Sequence, residues 1–231
     1  MWERLLAEAP RFFTYWNLRF LLFGAATTVA LSLAGCAFGA LTGLLLSTVR
    51  MTRSPFLLPV RVIAIVFTEF FRRVPFLVTL MLIFFAFQLS GLELPLFVIG
   101  AISVFLIASA YLAEIIRSGF LAVHHNQWEA AATMNFTLIQ TIRHVVLPQA
   151  WRVILPPAFG FLVLFIKDTA LASQIGVVEL TYVGKVLNNR GFSAMLSFST
   201  ILLFYFLISF PLARVGARLE AKLAPPRNPK P

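Results

Sequence analysis

The chain has 231 residues, of which 60% are apolar and only 12% charged, against roughly 45–50% and about 25% in an average soluble domain. A soluble fold of this size cannot bury so much apolar surface, because a small domain has a large surface relative to its volume. The composition excludes an ordinary soluble enzyme and a disordered chain, and it predicts an all-α integral membrane protein. The net charge of +10 fits Lys and Arg beside membrane spans better than a nucleic-acid module, which needs more polar surface.

Five stretches are long enough to cross a bilayer, which takes about 20 apolar residues in a helix. We predict these spans at about residues 20–49, 56–89, 95–116, 149–167 and 193–213. The first span carries Gly35, Gly39 and Gly43 at intervals of four. Small residues at this spacing allow another helix to approach closely, so we expect a helix contact there.

The second predicted span, 56–89, is too long for one straight crossing and is interrupted near residues 72–75. Charged side chains and Pro75 lie at the interruption. Proline breaks the hydrogen-bond ladder of a helix, and such a break inside a membrane is tolerated only against protein or a wet cavity. We therefore predict one long, broken helix.

The two ends of the chain differ in character. Residues 1–19 are rich in aromatic side chains, lack a signal-peptide layout, and are predicted to lie in the membrane interface outside the cell. Residues 214–231 form a basic, proline-rich tail that we expect to be cytoplasmic and disordered. Lys and Arg favour the side that holds the C-terminus, so the positive-inside rule puts the N-terminus outside and the 117–149 loop in the cytoplasm.

The 117–149 loop is polar enough to lie in water, and its first half predicts a short helix. Asn126 is a good N-cap, and Glu129 can reach back to the cap's amide. The helix is predicted over 127–134, ending at Asn135, because asparagine tolerates the left-handed conformation that follows many helices.

The second half of the loop predicts another helix, with Thr137 as the N-cap and Gln140 three residues later. Pro148 then opens the way into the fourth span. Two capped helices in succession form a rigid peg on the cytoplasmic face. A plain interfacial hairpin that only returns the chain is an equally weighted alternative on these features alone.

The loop resembles the EAA motif of ABC importer membrane subunits. Glu129-Ala130-Ala131 and Leu147-Pro148 have the family's spacing, while Asn135 stands where the family has glycine. Four further segments resemble the polar amino acid permease subfamily: 69–72 with Pro75, 110–117, 145–150 and 167–171. Arg73 and Val74 depart from this pattern, which usually has Gly and Thr there.

The resemblance implies the type I ABC importer permease fold and a set of partners. These are two ABC ATPase subunits, a second permease subunit, identical or paralogous, and an extracytoplasmic amino-acid-binding protein, all at the bacterial inner membrane. It makes the EAA loop a coupling helix that docks on the ATPase, through Asn126, Trp128, Glu129, Ala130, Ala131, Asn135, Leu147 and Pro148. We expect no cofactor in this chain, with ATP and Mg bound by the ATPase subunits, because the sequence has no G-x-x-x-x-G-K-[ST] phosphate loop.

Charged residues within the spans are candidates for contacts with the transported solute, because an ionisable group in a membrane usually faces a cavity or a partner. The predicted set, at similar depth in two spans, is Glu69, Arg72, Arg73, Lys167, Asp168 and Thr169. Arginine can bind the carboxylate of an amino acid and a carboxylate its ammonium group. Arg73 is predicted to favour an acidic cargo such as glutamate or aspartate. Internal salt bridges, Glu69 with Arg72 or Lys167 with Asp168, are the structural alternative.

Two other functions remain open at this point. The cargo could be a sulfur amino acid or an opine, with the same EAA region. The chain could also be a membrane anchor of a redox or signalling complex. Such anchors usually carry paired histidines within spans, whereas His124, His125 and His144 all lie in the loop, which argues against that alternative.

Overall fold

The structure, a computed structural model, describes residues 2–52 and 54–223. The regular elements in these residues are helical throughout. In chain order the α-helices are α1 (Trp2–Phe12), α2 (Tyr15–Met51), α3 (Leu58–Arg73), α4 (Phe76–Ser90), α5 (Leu96–Leu121), α6 (His125–Thr133), α7 (Leu138–Thr141), α8 (Leu147–Asp168), α9 (Leu180–Asn189) and α10 (Ala194–Leu223). Short 3₁₀ turns cover Pro55–Leu57 and Thr169–Ile175, and a π-helical turn covers Ile142–Val146.

Four helical stretches in the described residues are long and apolar enough to cross a membrane: α2, α5, Leu138–Ile175 and α10. Helices α3 and α4 pass the same test only as a pair, bent by 112° at the break, which is the geometry of a broken span or of a re-entrant loop. Val74 at the break is extended (φ −86°, ψ 134°), as expected for a residue that precedes proline. The predicted all-α membrane protein is confirmed, and the predicted interruption near residues 72–75 is present as the break between α3 and α4.

Several helices are longer than their apolar stretches predict. Helix α2 begins at Tyr15, α5 continues past residue 116 to Leu121, and α10 continues to Leu223. An apolar stretch marks only the part of a helix that can lie in the hydrocarbon core. The backbone hydrogen bonds of the helix continue into the polar residues on either side. The predicted disorder of 214–231 is therefore wrong for residues 214–223, and residues 224–231 lie outside the described part of the chain.

The N-terminal segment packs in part against the rest of the first unit. Tyr15 and Trp16, in the first turn of α2, are each 70% exposed, as an interfacial aromatic pair would be. Phe12 at the end of α1 is fully buried and packs edge-on against Phe192 at 5.1 Å. The segment is thus anchored in part by protein contacts.

The chain divides into two compact units. The first comprises Met1–Gly35, Pro75–Val104 and Leu162–Pro211, and the second comprises Cys36–Val74, Phe105–Phe161 and Leu212–Pro231. The core of the first unit joins α1, α2, α9 and α10 through Phe12, Leu21, Leu180, Val183, Leu187 and Ile201.

Close contact between α2 and α5 organises the second unit. A Cβ atom on Gly39 would lie 2.7 Å from the Cβ of Ala108, and one on Gly43 would lie 2.8 Å from the backbone nitrogen of Ala113. The hydroxyl of Ser47 donates a hydrogen bond to the carbonyl oxygen of Ala113 at 2.6 Å. The helix contact predicted from the glycine spacing is therefore present at Gly39 and Gly43.

Candidate functional site

Helix α6 contains the EAA residues and begins two residues earlier than predicted, at His125. The assignment of Asn126 as N-cap is wrong: the cap is His124, whose Nδ1 accepts a hydrogen bond from the backbone N–H of Asn126 at 3.3 Å. Glu129 does not reach back to a cap. Its carboxylate instead lies 3.1 Å from Nε2 of His125, one turn earlier on the same face. A ring nitrogen with a free lone pair serves as acceptor here, an option that the usual N-cap preferences do not highlight.

One face of α6 is held by a local core and the opposite face is open. Ala131 is only 2% exposed and Trp128 is half-buried, whereas Ala130 and Glu129 are exposed. Trp128 packs against a cluster in the second unit formed by Ile116, Phe120, Ile142, Val146, Ala150 and Ile154. Side chains of α5, the π-helical turn and α8 thus support α6 from behind. A cleft of about 540 Å³ lies beside it, with Met51, Leu121 and Phe136 in its wall.

The chain leaves α6 through two predicted features that the structure confirms. Asn135 has φ 56°, the left-handed conformation. Thr137 and Gln140 form a reciprocal capping box. The Thr137 hydroxyl accepts from the backbone N–H of Gln140 at 3.3 Å, and the side-chain Oε1 of Gln140 accepts from the backbone N–H of Thr137 at 2.8 Å. The turn between the helices is therefore fixed by specific hydrogen bonds.

Pro148 lies in the first turn of α8, and no break in the helical chain separates the loop from that helix. The chain runs without a break from α7 through the π-helical turn Ile142–Val146 into α8, which begins at Leu147. A proline lacks the N–H that a regular ladder needs, and a π-helical turn is a common way to absorb such a defect. The side-chain amide nitrogen of Gln149 (Nε2) donates to the backbone carbonyl of Val145 at 2.8 Å and to Oε1 of Gln127 at 3.2 Å. These bonds tie α6 directly to the start of α8.

A second candidate site is an ionic cluster in the same unit, centred on Glu114 of α5. Its carboxylate lies 2.9 Å from Arg50 at the end of α2 and 3.6 Å from Arg72 at the end of α3. It also accepts hydrogen bonds from Arg117, including one of 3.1 Å from Nε. The Glu114–Arg117 pair, three residues apart on α5, is thus part of a cluster that joins three helices.

Glu69 of α3 extends this ionic cluster. It pairs most closely with Arg73, and it lies 3.8 Å from Arg72 and 3.9 Å from Arg50. The predicted Glu69–Arg72 contact exists, with Arg73 the nearer partner. The ionic cluster holds four arginines and two glutamates, so positive charge exceeds negative charge among these groups.

A cleft of about 330 Å³ opens beside the cluster. Arg72, Tyr111, Glu114 and Ser118 contribute polar or aromatic groups to its wall. The Tyr111 hydroxyl donates to the carbonyl of Arg72 at 3.1 Å, and its ring stacks on Phe161 at 5.3 Å. The cleft thus presents a guanidinium, a carboxylate and an aromatic ring within a small volume. The candidate site predicted from the sequence did not include Tyr111 or Glu114, although both lie in the segment that carried the family resemblance.

The remaining predicted residues belong to the first unit. Lys167 is exposed, Asp168 is half-buried and Thr169 is fully buried. The Thr169 hydroxyl donates to the carbonyl of Ile166 at 2.7 Å and lies 3.5 Å from the hydroxyl of Ser32. Within the residues that the structure describes, Lys167 and Asp168 form no ion pair, so the predicted Lys167–Asp168 bridge is absent there.

Glu179 is a buried carboxylate that was not predicted from the sequence. It is fully buried as the N-cap of α9 and accepts from the backbone N–H groups of Thr181 at 2.9 Å and Tyr182 at 2.7 Å. The hydroxyl of Tyr205 donates to it at 2.8 Å. Burial raises the pKa of Glu179, and the hydrogen bonds oppose that shift. A glutamate directly before a helix was the signal that could have revealed it.

No group of three or more His, Cys, Asp or Glu side chains that could hold a metal occurs in the described ranges. The candidate sites in these residues are α6 with its core, the ionic cluster with its cleft, and the polar residues around Thr169.

Comparison with known proteins identifies the family. The family model described as "Binding-protein-dependent transport system inner membrane component" matches residues 39–225. The glutamine transport system permease protein GlnP of Escherichia coli (strain K12) is 34% identical, over 88% of this chain and 92% of that protein. The L-cystine transport system permease protein TcyB of Bacillus subtilis (strain 168) is also 34% identical, over 87% of this chain and 85% of that protein.

A solved structure agrees with these relatives. The crystal structure of an amino acid ABC transporter with histidines contains a chain that superposes with a TM-score of 0.80 at 28% identity, covering 89% of this chain and 94% of that one. The fold, the family model and the relatives all describe a multi-pass protein of the inner membrane. The chain belongs to the family of inner membrane components of binding-protein-dependent transport systems.

Proposed function

We propose that the chain is the transmembrane permease subunit of an ATP-driven ABC importer that moves a polar amino acid into the cytoplasm. The observation that carries the proposal is α6, a capped helix with an exposed EAA face and a buried face held by its own core. Partner ATPase subunits, two per complex, supply the energy and bind ATP and Mg. The chain itself has no phosphate loop and acts as a transport subunit.

The coupling role follows from the surface of α6. Exposed Ala130 and Ala132 allow the backbone of a partner to approach, and exposed Glu129 offers a charge at the centre of the contact. The opposite face is fixed to the cluster of α5, the π-helical turn and α8 through Trp128, and Ala131 on that face is buried. A push on the exposed face is therefore passed to the spans without bending the helix. Asn126, Asn135, Leu147 and Pro148 complete the proposed coupling region.

The ionic cluster suits a zwitterionic solute. Arg72 can bind a carboxylate and Glu114 an ammonium group, with Tyr111 as an aromatic wall of the same cleft. Glu69 and Arg73 adjoin this pair, and Arg73 is 72% exposed and able to bind a second, side-chain carboxylate. Lys167, Asp168 and Thr169, which belong to the first unit, are proposed separately as further residues that contact the solute. The excess of arginine over glutamate supports glutamate or aspartate as cargo.

Another amino acid is the second candidate cargo. The names of two relatives at 34% identity give glutamine for one and L-cystine for the other. These names support an amino acid in general and do not select an acidic one. Uptake of radiolabelled glutamate into proteoliposomes containing the complete complex, competed with a panel of amino acids, tests the cargo. We expect glutamate and aspartate to compete best, and competition by cystine or glutamine alone would refute the acidic assignment.

Orientation and partners complete the proposal. We place the N-terminus outside and the C-terminus, with α6, in the cytoplasm, because basic residues gather on that side. A second permease subunit, identical or paralogous, forms the other half of the pathway. An extracytoplasmic binding protein delivers the amino acid. Co-purification of a tagged chain with both an ATPase and a second permease subunit tests this assembly, and recovery of the chain alone from gently solubilised membranes would contradict it.

A further inference from the structure

A second cleft in the same unit lies where α2 and α5 end and α3 begins. Its volume is about 290 Å³. The described residues in its wall include three arginines, Arg50, Arg61 and Arg117, and no carboxylate. Such a wall is suited to an anion, because guanidinium groups match the geometry of carboxylate and phosphate oxygens.

Arg61 is the unusual member of this arginine cleft. It stands on α3 among apolar side chains, including exposed Leu57 and Leu58 and half-buried Ile65. Its Nη1 donates to the carbonyl of Thr52 at 3.3 Å, while its Nε is buried without a hydrogen-bond partner. No ion pair is found for it in the described residues. An arginine has five N–H donors, and a buried donor without an acceptor in a native protein calls for an explanation such as a bound ion.

The other two arginines are held in place by the ionic cluster. Arg50 contacts Glu114 at 2.9 Å and Glu69 at 3.9 Å, and Arg117 also hydrogen-bonds to Glu114. These pairs fix the two guanidinium groups while leaving the wall of the arginine cleft positive. Among the three arginines of the wall, Arg61 is therefore the group with unused binding capacity.

The surroundings indicate where the anion comes from. Exposed apolar residues flank the cleft on α3 and at Leu121, which is 56% exposed at the end of α5. Helix ends that carry arginines beside apolar surface lie at the level of lipid headgroups, and basic pockets between spans bind anionic headgroups there. A phosphate would occupy the arginine cleft while acyl chains cover the apolar face of α3.

We propose that the arginine cleft binds an anionic phosphate group, supplied by the headgroup of a membrane phospholipid, with Arg61 as its principal donor. This site goes beyond the proposed transport function and does not depend on the cargo. Lipid binding is measured without ATPase subunits or solute, so its failure and the failure of the transport proposal are separate results.

The test uses the full-length chain, delipidated in a neutral detergent, with lipid binding followed by native mass spectrometry. The probes are phosphatidylglycerol and zwitterionic phosphatidylcholine, each titrated against the wild type, Arg61→Gln, Arg61→Lys and the control Arg152→Gln, an exposed arginine outside the cleft. We expect Arg61→Gln to weaken phosphatidylglycerol binding about tenfold, Arg61→Lys to lie between it and the wild type, and Arg152→Gln to change binding less than about twofold.

A soluble competitor identifies the source of the phosphate. Phosphatidylglycerol binding that persists in millimolar glycerol 3-phosphate supports a lipid headgroup as the source of the phosphate. Binding of glycerol 3-phosphate itself, if it depends on Arg61, supports the same site with a soluble ligand. Equal binding of phosphatidylglycerol by the wild type, Arg61→Gln and Arg61→Lys would overturn the proposal. If Arg61→Gln does not fold, the comparison of the wild type with Arg61→Lys carries the same test.

Discussion

Reversing the charge of Glu129 should uncouple transport while leaving the chain folded. Glu129 is 64% exposed and pairs with His125, which is 73% exposed, at 3.1 Å on the same helix face. An exposed ion pair with this spacing contributes about 0.3–0.5 kcal/mol, and this pair is ionic only when His125 is protonated, so Glu129→Lys should lower the free energy of unfolding by less than about 1 kcal/mol. Removing one partner of a charged pair at a protein interface costs more, about 2–5 kcal/mol, which corresponds to more than about a tenfold weakening of binding.

The assay is solute uptake and stimulated ATP hydrolysis by the complete complex in proteoliposomes, with thermal unfolding of the same preparation. Glu93→Lys is the matched control, because Glu93 is an exposed glutamate in the loop between α4 and α5. We expect Glu129→Lys to retain below about one-tenth of uptake and ATPase stimulation, and Glu93→Lys to retain both. Full uptake by Glu129→Lys would refute a docking role for α6.

Three further predictions concern other parts of the molecule. Arg72→Ala should lower uptake about tenfold while the chain still assembles with the ATPase; loss of folding would instead identify a purely structural salt bridge. Gly43→Ala should be less stable than the control Gly160→Ala by about 1–3 kcal/mol in thermal unfolding. The new Cβ at position 43 meets the α5 backbone at 2.8 Å, whereas a Cβ at position 160 meets no described atom beyond its own helix backbone within 4 Å. Equal stability of the two variants would show that α2 and α5 can separate at no cost. Because burial raises the pKa of Glu179, its protonated form suits the folded state better, and the wild type should lose stability relative to Glu179→Gln as pH rises above the ordinary value of 4.5. A difference in stability between the wild type and Glu179→Gln that does not change with pH would show that titration of Glu179 does not affect folding.

The architecture was predictable because its causes are local. Long apolar runs give the spans, and Pro75 gives the break, with Val74 forced into an extended conformation. The left-handed Asn135 and the capping box at Thr137 also followed from residue type and spacing. Helix ends were less accurate, since α5 continues through Arg117 after its apolar stretch has finished.

The site was only partly predictable, because its key contacts join distant segments. Glu69 and Arg72 could be paired from their spacing on one helix, but no local pattern brings Arg50 to Glu114 across sixty-four positions of sequence. The prediction of the N-cap of α6 was wrong for a different reason. Asn126 is the stronger capping residue, yet the chain direction at His124 places that ring nitrogen within hydrogen-bond distance of the backbone N–H of Asn126.

The proposed function depends most on the contact between α6 and an ATPase subunit, which site-specific cross-linking can detect. Cys36 is buried and is the only cysteine, so Cys36→Ser gives a background in which Ala130→Cys places one thiol on the exposed face of α6. In membrane vesicles of the complete complex, a short bismaleimide should join Ala130→Cys to a cysteine in the ATPase groove, with a yield that changes on ATP binding. Labelling of that thiol from outside intact cells by an impermeant maleimide, without any ATPase cross-link, would contradict both the cytoplasmic position and the docking role of α6.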